Sequence, residues 1–81
     1  MIDVKKAYSI IEQQYPKMEA NTCNEYENEY VFSLKPKGCK ELFVNSAVYV
    51  VNKETGNYRV TTFWEYVGKS IVREIDVTTL K

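Results

Sequence analysis

The sequence predicts an α+β fold: one N-terminal helix packed on a twisted antiparallel β-meander of about four strands. Three observations carry this. Apolar residues recur at spacings of three and four only in residues 1–15, and Pro16 closes that stretch. Beyond Pro16 the apolar pattern alternates in several short runs. The stretch Lys53-Glu54-Thr55-Gly56-Asn57 then joins two of those runs as a tight hairpin turn. One helix followed by a run of strands belongs to the α+β class. At 81 residues the chain is read as a single domain, 1–81.

Ile2 to Tyr15 is the helix. Val4, Ala7, Tyr8, Ile11 and Tyr15 form its apolar stripe, widened by Ile10. Lys5, Lys6, Glu12, Gln13 and Gln14 take the wet side. Asp3 is a good N-cap, because its carboxylate can accept from an unpaired amide of the first turn. Pro16 disfavours helical geometry at Tyr15 and ends the element.

Met18 to Asn24 is read as a first strand, with Met18, Ala20 and Thr22 on one side. Its asparagines and few branched residues make it an edge strand or an irregular segment. Asn24 to Asn28 is a polar turn. Glu29 to Lys35 is a stronger strand, with Tyr30, Phe32 and Leu34 alternating against Val31, Ser33 and Lys35. Pro36 and Gly38 close it, and Pro36 to Glu41 is a basic loop. Leu42 to Val44 leads into the next strand.

The central hairpin spans Ser46 to Tyr66. Gly56 is the natural occupant of a left-handed position, having no Cβ to clash there. A three-residue loop with a glycine bulge sets the register Val51 opposite Arg59, Val50 opposite Val60, Val48 opposite Thr62 and Ser46 opposite Trp64. One face then carries Val48, Val50, Tyr58, Val60 and Trp64, and is assigned to the core beneath the helix. The other carries Ala47, Tyr49, Val51, Phe63, Arg59, Thr61 and Glu65, and is assigned outward. A slip of one residue exchanges the faces. Gly68 ends or bends the last hairpin strand. Ser70 to Lys81 reads as a further short strand or as an extended tail ending in a helical turn.

Composition narrows the function classes. Eleven basic and eleven acidic residues give no net charge, which argues against a nucleic-acid binder built on phosphate contacts. Residues 1–15 lack the pattern of a secretory leader, and no run approaches the ~18 apolar residues of a membrane span. The expectation is a cytoplasmic protein that meets no membrane. The two cysteines, Cys23 and Cys39, are read as reduced thiols, with a bridge open only if their strands are neighbours.

No catalytic residue, cofactor site or metal site is expected. The sequence has no histidine, which removes histidine triads and most zinc sites. Its three glycines are isolated, so no phosphate loop exists. Cys39 beside Lys37 and Lys40 lacks a plausible base and reads as an ordinary thiol. Glu25, Glu27 and Glu29 alternate, yet the dense oxygen loop of a calcium site is missing. They read as a solvated acidic turn or as part of a partner footprint, with Lys35, Lys37 and Lys40 as a basic counterpart.

The outward face carries the functional expectation. Tyr49, Arg59, Phe63 and Glu65 combine aromatic and charged groups in the manner of interface hot spots. With Glu25, Glu27 and Glu29 they are the candidate partner-binding residues. The same face could instead be covered by residues 69–81, or join two copies in a homodimer.

The helix ending at Tyr15-Pro16, the strand YVFSL at Tyr30–Leu34, the stretch VVNKETGNYRV at Val50–Val60 and the aromatic at Trp64 together resemble the YrhB-like immunity proteins of polymorphic toxin systems. That resemblance implies a cytoplasmic, non-enzymatic protein that blocks a partner toxin. The alternative is a structural or assembly protein of a phage or mobile element, acting as a homodimer.

Overall fold

The computed structural model describes residues 1–39 and 46–80. Helix α1 (Val4–Gln14) is followed by β1 (Met18–Glu25), β2 (Glu29–Pro36), β3 (Ala47–Asn52), β4 (Tyr58–Thr62) and β5 (Arg73–Ile75). Short 3-10 helices occupy Phe63–Tyr66 and Val77–Leu80. The five strands form one antiparallel sheet in the order β4-β3-β2-β1-β5. The fold class is α+β, with one strand more than the expected four.

The helix forms as its sequence dictates. Asp3 caps it, its Oδ1 accepting from the Lys6 amide at 2.8 Å. Tyr15 ends it, its amide closing on the Ile11 carbonyl at 3.0 Å just before Pro16. Ala7, Tyr8 and Ile11 face the sheet and are buried. They meet Ala20 and Cys23 of β1, Tyr30, Phe32 and Leu34 of β2, and Val51 of β3. Phe32 is fully buried at the centre, its ring 6.0 Å from that of Tyr8. Truncating it to alanine would cost about 3–5 kcal/mol, since a packed core collapses only partly around a lost ring.

β1 lies inside the sheet, between β2 and β5, and not at an edge. Its register against β2 shifts between Ala20 and Thr22. The extra residue lets Ala20 and Cys23, three positions apart, both point at the helix. Thr22 is thereby turned to the opposite face, where its hydroxyl lies 2.6 Å from that of Ser33. The expected grouping of Met18, Ala20 and Thr22 on one side fails for this reason.

The β3–β4 register also differs by one residue. Val51 pairs with Tyr58, Val50 with Arg59 and Val48 with Thr61. The cause is local. Asn52 Oδ1 accepts from the amides of Glu54 and Thr55, at 2.8 and 3.1 Å. Such side-chain capture winds the chain into a helix-like turn. The Gly56 amide then reaches the Asn52 carbonyl, and Asn52 pairs with Asn57. The loop thus holds four residues between the paired asparagines instead of three. Gly56 takes the expected left-handed conformation, at φ 75°.

The slip groups Tyr58 and Val60 with Tyr49 and Val51, and Arg59 and Thr61 with Val48 and Val50, so the more apolar face is the other one. Tyr49 and Val51 lie on the helix side, not outward, and the Tyr15 ring covers that of Tyr49 at 4.9 Å. Val48 and Val50 lie on the opposite side, with Val31 and Tyr66. Val60 and Trp64 do not join the core. β4 ends at Thr62, and Val60 and Trp64 are 49% and 69% exposed.

The tail combines both expected forms, a strand and a helical turn. Ile75, Val77 and Leu80 pack against the helix-side core, so the tail closes that side and not the Phe63 surface. Cys23 and Cys39 are free thiols. Lys40 to Asn45, which include Lys40 and Glu41 of the basic loop and the approach to β3, and Lys81 of the tail lie outside the described residues. No helix among the described residues is long and apolar enough to cross a membrane.

Candidate functional site

Among the described residues, the face of the sheet away from α1 carries no α-helix. The chain returns over it instead, as the Phe63–Tyr66 turn. Phe63 begins that turn with its amide bonded to the Ser46 carbonyl at 2.9 Å, which anchors it to the start of β3. The geometry drives Tyr66 inward, where it is 6% exposed and its ring lies 4.9 Å from that of Tyr26. The preceding residues point out. Phe63 and Trp64 stack on each other at 4.3 Å and remain 42% and 69% exposed.

A polar network holds the turn to the sheet. The Tyr66 hydroxyl donates to Glu29 Oε1 at 2.9 Å and accepts from Arg59 Nη2 at 3.0 Å. Arg59 also donates to Glu65 at 2.7 Å and lies 3.5 Å from Glu29 Oε2. Lys69 sits over the Tyr66 ring at 4.7 Å. Burial and the adjacent Glu29 carboxylate push the Tyr66 phenol above its ordinary range. Arg59 holds the Glu65 carboxyl below its own. Arg59 is paired with both Glu65 and Glu29, and no buried side-chain nitrogen or oxygen among the described residues lacks a hydrogen-bond partner.

Beside the turn lies an open depression of about 410 Å³. Val31, Val48, Tyr26, Tyr66, Phe63 and Val67 give it an apolar lining, with Thr22, Asn24 and Ser33 at its polar margin. Its rim extends to Val67, which is 63% exposed. Val31, Val48 and Tyr66 form its buried floor, and Phe63 and Val67 carry its exposed apolar surface.

The residues named from sequence separate into three places. Arg59, Phe63, Glu65 and Glu29 come together on this helix-free face. Tyr49 does not belong with them, because it lies on the helix side beneath Tyr15. Glu25 also lies on the helix side, at the end of β1, bound to Lys53 at 2.7 Å and to Arg73. Glu27 stands exposed in the β1–β2 turn. Glu25 and Glu29, each ion-paired and on opposite faces, do not form one acidic patch. Among the described residues, no group of three or more cysteine, aspartate or glutamate side chains converges to hold a metal.

Sequence reasoning missed Tyr66, Val67 and the outward role of Trp64. Alternation was carried past Thr62, which put Trp64 in the core. The cluster Phe63-Trp64-Glu65-Tyr66 was the available signal, being the densest aromatic run in the chain. No family model, no curated protein and no solved structure matches this chain.

Proposed function

We propose that this is a non-enzymatic protein-binding domain that occludes a protein partner with its helix-free face. The observation that carries this reading is the exposed pair Phe63–Trp64, stacked beside an apolar depression that no other described residue fills. Aromatic anchors over a fixed surface contribute most of the energy at protein interfaces. The Arg59, Glu65 and Glu29 charges stiffen that surface and set the orientation of an approaching partner. The Arg59, Glu29 and Tyr66 groups hydrogen-bond to one another, which suits a fixed contact surface. The resemblance to immunity proteins supports a toxin as the partner, bound in the cytoplasm of the producing cell.

A photo-crosslinking residue at position 64, introduced in the native host, would identify the partner. Titration of the purified partner then tests the face. Trp64→Ala and Phe63→Glu should each weaken binding more than tenfold while far-UV circular dichroism stays unchanged. The immunity reading also requires that co-expression relieve the toxicity of the partner. A partner bound equally well by wild type and both variants would overturn the assignment.

A further inference from the structure

We propose that the free edge of β4 joins two copies of this chain, antiparallel about Val60, into one continuous sheet. The proposal uses a surface distinct from the helix-free face and does not rest on the function proposed for it.

Backbone direction is the first observation. The Asn52 amide bonds to the Asn57 carbonyl, and the Phe63 amide to the Ser46 carbonyl. Alternation along an antiparallel pair therefore turns the amides and carbonyls of Arg59 and Thr61 toward β3. Those of Tyr58, Val60 and Thr62 point outward. β4 ends the sheet, and no described element pairs with its outer side. Three residues thus present a row of donors and acceptors ready for another strand.

Protection is the second. Edges are usually blunted by proline, lysine or shortness. β5, at the other edge, has three residues, two of them Arg73 and Glu74. β4 has five, Tyr-Arg-Val-Thr-Thr, and its only charge is Arg59. That charge is already matched by Glu65 and Glu29 on the helix-free side.

Self-complementarity selects the occupant. With Val60 opposite Val60 of a second copy, Tyr58 meets Thr62 and Arg59 meets Thr61. No like charges face each other, and β-branched and aromatic residues pair across the seam. Val60, on the helix side but beyond the reach of α1 and 49% exposed, gains a neighbour of its own kind. Each copy uses the same β4 edge about a two-fold axis, so the contact is isologous and is used up at two copies, while the short, charged β5 is a poor edge for further growth.

The test combines mass with amide exchange. Sedimentation at rising concentration should show a monomer–dimer equilibrium. The amides of Tyr58, Val60 and Thr62 should become protected as the dimer forms, whereas those of Arg59 and Thr61 should be protected throughout. Val60→Lys places like charges face to face and should raise the dissociation constant about tenfold or more. Thr62→Lys keeps the β3 ladder and sets a lysine on the exposed edge opposite Tyr58 of the second copy, and should act likewise if the Val60 variant fails to fold. A chain that stays monomeric at its highest soluble concentration would overturn the proposal. So would a dimer whose Tyr58, Val60 and Thr62 amides remain as open as in the monomer.

Discussion

Lys53 Nζ lies 2.7 Å from Glu25 Oε2, joining the β3–β4 turn to the end of β1. Lys53 is 5% exposed, and it serves as a hub for three parts of the chain. Its amide bonds to Asn28 in the β1–β2 turn, and its carbonyl accepts from Ile2 ahead of the helix. Its ammonium also donates to the Glu27 carbonyl at 3.2 Å and stands over the Tyr30 ring at 5.0 Å. Removing Lys53 takes two donated hydrogen bonds from this corner and leaves Glu25 with Arg73 alone. Lys53→Met should therefore lower stability by about 2 kcal/mol, read as a lower urea midpoint with an unchanged slope. A loss under about 0.5 kcal/mol, the range of ordinary surface changes, would show that the pair is solvated.

Glu25 makes that pair pH-sensitive. Hydrogen bonds from Lys53 and then Arg73 hold its carboxyl below the usual range. A carboxylate depressed in the native state stabilises it fully above the unfolded value of about 4.3. The contribution is lost as pH falls through the lower native value. Urea midpoints of wild type and Glu25→Gln should differ most near neutrality and converge in acid below that window. A gap that stays constant on acidification would mean that Glu25 acts through packing alone.

The helix and β2 were legible because their patterns are long and match one period each. Asp3, Pro16 and the Tyr30-Phe32-Leu34 alternation all describe the observed elements. The register of the hairpin was not legible, because a single side chain set it. Nothing in the residue types of Lys53-Glu54-Thr55-Gly56-Asn57 separates a three-residue loop from a four-residue one. The Asn52 carboxamide does, and the one-residue difference puts Tyr58 and Val60 on the face of Tyr49 and Val51, which makes that face the apolar one beneath the helix. The candidate face was half legible: Arg59, Phe63 and Glu65 lie on one face as the sequence grouped them, and Tyr66, bonded to Arg59, lies past the end of β4 at Thr62, where alternation no longer applies. Lys53 gave no sign at all, since a lysine beside a turn is nearly always solvated.

The role given to Asn52 can be checked directly. Asn52→Ala removes both acceptor contacts to the Glu54 and Thr55 amides. These groups are exposed and can turn to water, so the cost should be about 1 kcal/mol. Asn52→Asp keeps an acceptor in place and should recover most of it. Amide exchange of Gly56, which bonds to the Asn52 carbonyl, should quicken in the alanine variant alone. Equal stability of all three proteins would leave the register without its local cause.

Cys23 reports on the core from inside. It is 2% exposed between α1, β2 and β5, and burial pushes its thiol up to about 12. The thiolate is the reactive form, so both access and ionisation protect it. In a Cys39→Ser background, a disulfide reagent at pH 8 should label Cys23 only as fast as the protein opens. Adding Lys53→Met should raise that rate in proportion to the lost stability when reclosing is faster than labelling. Labelling should become immediate in denaturant. Rapid stoichiometric reaction in native buffer would mean that β1 and β5 part on their own, and that the short β5 contact, three paired residues long, does not seal this side of the sheet.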